Sequence, residues 1–206
     1  MQRLTFSLAL ALVGLAAPAC ASDADEYDFE GPRAAILTGF DATELPNDDG
    51  PEFMYALEAG FDWRAGPWVL GLAASIGGTD AGKTEYGVAA PGDSVTVHYG
   101  RDVYAGFRAG RVLGRRFLAF GRGGVALTEM RSAYKADSRS PEPAQVPDPR
   151  RVPKFARPGT LVGFWTGAGI EYQLGRKLYA LGEYRYANFH DGIYRHQGAV
   201  GLGVRF

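Results

Sequence analysis

Nine charged residues recur at every-other-residue positions inside otherwise apolar or small-residue segments. They are Glu58, Asp62, Asp102, Glu171 and Glu183 against Arg108, Arg122, Arg185 and Arg205. Carboxylates and guanidinium groups gathered in this way can move protons, line an ion path, or neutralise one another in a buried network. Three sharper motifs compete with that reading. Gly77 to Thr84 spells the phosphate-loop pattern G-x-x-x-x-G-K-T. That pattern needs a helix to begin at the Lys and aim its amides at phosphate. Here Glu85-Tyr-Gly-Val-Ala-Ala-Pro91-Gly92 follows, which reads as a loop, so no nucleotide is expected. Ser94, His98 and Asp102 permit a hydrolytic triad by arithmetic, but no nucleophile elbow accompanies them. The three histidines, His98, His190 and His196, lack metal-ligand spacing. His190 and His196 are expected as solvated groups beside the last loop. No catalytic residue, cofactor or metal is assigned.

The elements that must position the charges are strands. Alternation picks out eight segments, at 33–40, 53–63, 68–77, 95–111, 117–130, 161–173, 178–187 and 196–206. Along them, Phe53, Tyr55, Leu57, Phe61 and Trp63 share one face and Glu58, Gly60 and Asp62 the other. Val97, Tyr99, Val103 and Phe107 oppose His98, Asp102 and Arg108, and Val162, Phe164 and Ile170 oppose Trp165 and Glu171. The segment carrying Arg122 is less regular, with Leu118 and Phe120 on the face of the arginine. Short Gly-containing turns at 64–67, 114–116 and 175–177 alternate with longer connections at 41–52, 78–94, 131–160 and 188–195. Even strand number and this asymmetry describe an all-β, eight-stranded antiparallel transmembrane β-barrel, an up-and-down meander with lipid outside. A soluble barrel with the apolar face inward also satisfies alternation. The glycine-rich polar face, the uneven loops and the aromatic Phe206 argue for lipid. Charges on the polar face then become a luminal network, and Trp63, Trp68, Tyr172 and Phe206 form an interfacial aromatic girdle.

The first residues add a location. Arg3, an apolar run from Leu4 to Ala17 and the small residues Ala19 and Ala21 read as a signal peptide over 1–21. A periplasmic segment would follow at 22–32, and the barrel would occupy 33–206. The one cysteine, Cys20, would be removed with the signal, or lipidated in the alternative. Net charge is −1, which gives no basic signature for nucleic acid. Two connections are strongly charged. Residues 41–52 hold Asp41, Glu44, Asp48, Asp49 and Glu52 with no base. The Pro-rich stretch 131–158 holds Arg131, Lys135, Arg139, Arg150, Arg151, Lys154 and Arg157 against three acids. The basic stretch suits lipopolysaccharide phosphates or another anionic surface ligand.

Gly167-Ala-Gly-Ile-Glu171-Tyr172, Leu181-Gly-Glu183-Tyr184-Arg185-Tyr186-Ala-Asn-Phe189 and Gly201-Leu-Gly-Val-Arg-Phe206 resemble the last three strands of the opacity/OmpA-like outer-membrane β-barrel family, the "porin family" of surface antigens. The resemblance implies an integral outer-membrane location, a monomer, and contact with membrane lipid and lipopolysaccharide. It also implies recognition of the C-terminal strand by the outer-membrane insertion machinery. The implied role is in envelope integrity or adhesin-like surface interaction, with a small diffusion channel as the alternative and a lipid A-modifying enzyme as the less favoured one. The family shares no reaction, and no catalytic residue is implied.

Overall fold

A computed structural model describes residues 28–44, 50–80, 82–86, 94–135, 159–190 and 193–206. Nine strands are present among them: β1 (Gly31–Glu44), β2 (Glu52–Ala65), β3 (Trp68–Thr79), β4 (Gly82–Tyr86), β5 (Ser94–Leu113), β6 (Phe117–Lys135), β7 (Gly159–Gln173), β8 (Leu178–Phe189) and β9 (Ile193–Arg205). Each pairs antiparallel with the next in the chain except β3, which passes over β4 to pair with β5, and β1 closes on β9. Eight strands therefore make the wall. The ninth, β4, continues the line of β3 beside β5, Gly82 to Tyr86 against His98 to Ser94. That segment was expected as loop, and it carries the second half of the phosphate-loop pattern as extended chain.

Tight turns are enforced where the sequence placed them. Gly66 and Gly114 adopt φ of +62° and +68°, a region open to glycine at little cost. These turns, the 174–177 turn and the junction of Phe206 N–H with the Pro32 carbonyl at 2.9 Å share one end of the barrel, here the turn end. The opposite, loop end receives the remaining connections.

Register fixes the barrel's size. Pairing carries Arg33 to Gly60, Ala73, Gly106, Gly124, Trp165, Ala187 and Arg195, and returns to β1 at Thr43. One circuit climbs from position 33 to position 43, a stagger of about ten residues that tilts eight strands by roughly 40°. The interior of such a barrel is just wide enough for side chains. Glycines supply the room. A Cβ at Gly71 would lie 2.1 Å from Asp62 Oδ1, and one at Gly203 would lie 2.2 Å from the Tyr179 ring.

The apolar face points outward. Ile36, Phe40, Leu57, Leu72, Phe107, Phe164, Val200 and Leu202 are all exposed, whereas Glu58, Asp62, Arg108, Arg122, Glu171, Glu183, Arg185 and Arg205 are buried. The irregular strand resolves simply: Leu118 and Phe120 point inward with Arg122, and Val125 and Leu127 point outward.

Three expectations need correction. Strands overrun their expected limits, so Asp41, Glu52, Arg131 and Lys135 belong to strands rather than loops, and the β8–β9 connection is only residues 190–192. The barrel begins at Gly31, not at residue 33. On β5 the expected face is right from Asp102 onward and reversed before it, at His98 and Tyr99. Register shifts between Tyr99 and Asp102, so Gly100 and Arg101 together oppose Glu129. This β-bulge inserts one residue and swaps the faces. Tyr99 is therefore buried and His98 exposed.

Ile36 lies on the outer wall near mid-height, 67% exposed. Ile36→Arg should destabilise the folded barrel by about 2–4 kcal/mol in a bilayer, measured by urea unfolding in vesicles.

Candidate functional site: a charged lumen

Inward-pointing residues stack in layers between the two ends. Lowest, at the turn end, the chain ahead of β1 folds under the barrel. Phe29 is fully buried, and its carbonyl accepts a hydrogen bond from Arg205 Nη1. Gly31, at φ +106°, allows that entry. Its missing Cβ would sit 2.8 Å from the Phe206 carbonyl. Val69, Leu118, Phe120, Tyr179 and Leu181 pack with Phe29 into an apolar floor.

Two linked ionic layers rise from that floor. In the first, Asp62 accepts from Arg108 Nε at 2.9 Å and Nη2 at 2.5 Å, and from Arg205 Nη1 at 3.0 Å. Arg33 Nε lies 3.2 Å from Asp62 as well. Glu171 accepts from Arg108 at 3.1 Å, Arg205 at 2.6 Å and the Gln173 amide at 3.2 Å. In the second, Glu58 accepts from Arg33 at 2.5 Å, from Arg122 at 2.8 Å through both terminal nitrogens, and from Arg185 at 3.2 Å. Glu183 closes the ring, taking Arg122 at 2.7 Å and pairing with Arg185. Arg33 bridges the two layers.

Above them Tyr104 and Trp165 meet edge to face at 5.6 Å, and the Arg185 guanidinium lies 5.5 Å from each ring centre. A third ionic layer follows. Arg195 donates from Nε to Asp41 at 3.2 Å, from Nη1 and Nη2 to Asp102 at 2.9 and 2.8 Å, and to Thr128 at 3.1 Å. Gln197 donates to the same Asp41 at 3.0 Å. Tyr99, Met130, Phe189 and Ile193 bury themselves above this layer.

The structure thus brings all nine expected luminal charges inside, and adds Arg33, Asp41 and Arg195. The sequence reading places Asp41 in an acidic connection and Arg195 in the last one. The missed signal was the alternation itself. Reading back from Arg205 through Gly203, Gly201, Ala199 and Gln197 reaches Arg195, and reading on from Arg33 through Ala35, Leu37 and Gly39 reaches Asp41.

The girdle residues Trp63, Trp68, Tyr172 and Phe206 gather at the turn end. Phe117 joins them, 4.7 Å from Tyr172, and Arg111 lies over the Trp68 ring at 5.7 Å. Of the expected basic loop, Arg131 is exposed on β6 and bonded to Glu129 at 3.1 Å. The Lys135 side chain and Arg139, Arg150, Arg151, Lys154 and Arg157 lie outside the described residues, as do the expected signal peptide and residues 22–27. His98 is exposed on the outer face beyond the bulge. His190 is exposed, with Nδ1 2.9 Å from the Val162 carbonyl. His196 is not a solvated mouth residue. It sits half-buried on the outer wall of β9, 2.5 Å from the Tyr184 hydroxyl.

A closed sheet with apolar residues outside and a paired ionic interior defines a transmembrane barrel, because only closure satisfies every wall amide within lipid. The chain belongs to the family described as outer membrane protein beta-barrel domain, which its residues 7–206 match, and it is an integral outer-membrane protein. Its fold is similar to Ail, the attachment invasion locus protein of Yersinia pestis. That match has a TM-score of 0.52 at 14% identity and covers 86% of this chain and 99% of that one. Neisserial surface protein A is similar at a TM-score of 0.52 and 10% identity, over 85% and 97%. A second Ail structure, in complex with the heparin analogue sucrose octasulfate, matches at a TM-score of 0.51 and 12% identity, over 85% and 99%. No curated protein matches the sequence.

Arg122 holds Glu58 through both terminal nitrogens and Glu183 through one, and Arg185 pairs with the same two carboxylates. Arg122→Met should cost about 3–5 kcal/mol, since it leaves buried carboxylates short of a partner. Adding Glu183→Gln should recover part of that loss, and equilibrium urea unfolding of the refolded barrel checks both.

Proposed function

We propose that this protein is a non-conducting surface-interaction barrel, in which the wall is structural and the loop end does the binding. The observation that carries the reading is the filling of the lumen. Three ionic layers, an aromatic pair and two apolar caps occupy it from Phe29 to Ile193. An ion crossing this path must displace guanidinium groups that each hold two or more partners, at several kcal/mol apiece. A monomer, inserted through its C-terminal strand, is part of the same reading, which assigns no reaction.

The loop end supplies a surface. Beyond the bulge, β5 and β6 continue past the point where β7 stops pairing at Met130. With β4 they make a three-stranded projection whose outward residues are Thr84, Thr96, His98, Arg131 and Ala133. Polar side chains there suit water rather than lipid. The basic residues that follow in sequence, Arg139, Arg150, Arg151, Lys154 and Arg157, outnumber the acids of their own stretch, Asp137, Glu142 and Asp148. An anionic polymer is the ligand class such a surface recruits. The similar protein Ail has been seen in complex with a heparin analogue.

Two measurements test the reading. Planar-bilayer recordings of the refolded chain should stay silent, and discrete voltage-stable openings would instead make it a small diffusion channel. The folded barrel should be retained on heparin resin at low salt. Arg150→Glu/Arg151→Glu/Lys154→Glu should abolish retention while preserving heat-modifiable migration on gels. Retention unchanged by that triple charge reversal would remove the basic segment from the proposal.

A further inference from the structure

One sector of the outer wall departs from the apolar rule. Tyr184, Tyr186 and Asn188 on β8 and Tyr194 and His196 on β9 all face away from the lumen, opposite the inward Arg185, Ala187, Arg195 and Gln197. They form one cluster. Tyr186 and Tyr194 stack at 6.2 Å. The His196 ring lies 5.2 Å from Tyr186, and its Nδ1 shares a 2.5 Å hydrogen bond with Tyr184. Register sets Tyr186 beside His196 and Asn188 beside Tyr194. At the same height the other walls carry Phe53 on β2, Leu127 on β6, and Val162 and Phe164 on β7. Among the described residues the polar-tipped rings are thus concentrated in this sector, with Tyr55 of β2 the one exposed tyrosine at this height outside it.

Height identifies what meets them. His196 and the girdle residue Phe206 lie on one strand, ten residues apart, which is about 25 Å along the axis at this tilt. A barrel's apolar band has that same height. With Phe206 at the inner interface, His196 and Tyr194 reach the outer one, and the Tyr184 hydroxyl dips just below it. Leaving hydroxyls, an amide and an imidazole there is costly unless polar groups of the membrane come to them.

We propose that the β8–β9 sector docks the phosphorylated sugar headgroup of an outer-leaflet glycolipid. Flat faces of Tyr186 and Tyr194 suit the C–H face of a sugar ring. The phenols, Asn188 and His196 supply hydrogen-bond donors for phosphate and sugar oxygens. No carboxylate faces outward among the described residues of β8 and β9, so an anionic group meets no repulsion. The acyl chains then lie along the apolar stripe below, Val200, Leu202 and Val204.

The test uses the refolded full-length barrel in detergent, offered lipid A, dephosphorylated lipid A or phosphatidylglycerol, with bound lipid read by native mass spectrometry. The wild type should retain one lipid A in preference to the other two. Tyr186→Leu/His196→Leu, which remains compatible with lipid contact, should lose about tenfold in retention, equivalent to one or two polar contacts. Leu127→Tyr, at the same height on β6 and outside the sector, should behave as wild type. Tyr184→Phe, which removes a single hydroxyl, gives an intermediate loss and serves if the double variant fails to show heat-modifiable folding. Equal retention by the folded variants would overturn the proposal. So would equal retention of phosphatidylglycerol or of dephosphorylated lipid A by the wild type, or a second protein copy, rather than lipid, being lost on substitution.

Discussion

Charge neutrality inside a space too narrow for bulk water is the constraint on which the rest of this barrel depends. Among the described residues, six arginines (Arg33, Arg108, Arg122, Arg185, Arg195, Arg205) and six carboxylates (Asp41, Glu58, Asp62, Asp102, Glu171, Glu183) are buried together. None could be there alone, because an unpaired ion in such surroundings costs far more than a domain's whole stability. Many of the pairs reach across the lumen, and others join neighbouring strands, as Arg33 of β1 does with Glu58 and Asp62 of β2. Arg108 of β5 grips Asp62 of β2 and Glu171 of β7, and Arg195 of β9 grips Asp41 of β1 and Asp102 of β5. Every one of these guanidinium groups but that of Arg33 fastens strands distant in sequence. No lysine is among the buried residues described. A planar fork can meet two carboxylates at once, whereas an ammonium is a point charge.

The same constraint accounts for glycine on the polar face. Arginines reaching to the axis leave no volume beside the wall, so positions such as Gly71 and Gly203 must be bare for Asp62 and Tyr179 to lie where they do. Outside, the demand is opposite. Ile36, Phe40, Phe107 and Phe164 would aggregate in water. In a bilayer they are solvated, and the folded state needs no apolar core of ordinary size. Hydrophobic residues inside gather at the floor around Phe29 and the cap around Ile193, which close the ends of the ionic stack, and in the Tyr104–Trp165 pair between its layers.

Much of this was legible in the sequence, because the strand period of two is insensitive to what lies on either side of the wall. Nine luminal charges, the turn positions and the girdle follow from parity alone. What escapes it shares one cause: parity is a clear signal only where the lipid-facing residues are apolar. Beyond the bilayer both faces turn polar, so Asp41 and Arg195 looked like loop charges although their strands continue. The shift at Gly100 and Arg101 is a different kind of miss. A bulge costs one unpaired residue, and Gly-Arg in a strand gives little warning of it, yet it exchanges Tyr99 with His98.

That bulge also explains where this protein is free to vary. Within the wall, the stagger of ten residues and the cross-lumen pairs are mutually dependent. A one-residue insertion would send every charge of a strand into lipid and every apolar residue into the lumen. The wall therefore tolerates change only in kind, such as a tyrosine for a phenylalanine on its outer face, as the β8–β9 sector displays. Past Asp102 the partner across the lumen is no longer required and water replaces lipid, so the exchange of faces costs one bulge and nothing more. β4, β5 and β6 extend outward from that point on. A rigid, charge-locked cylinder thus carries its adaptable parts at the first position where an error of register ceases to be lethal to the fold.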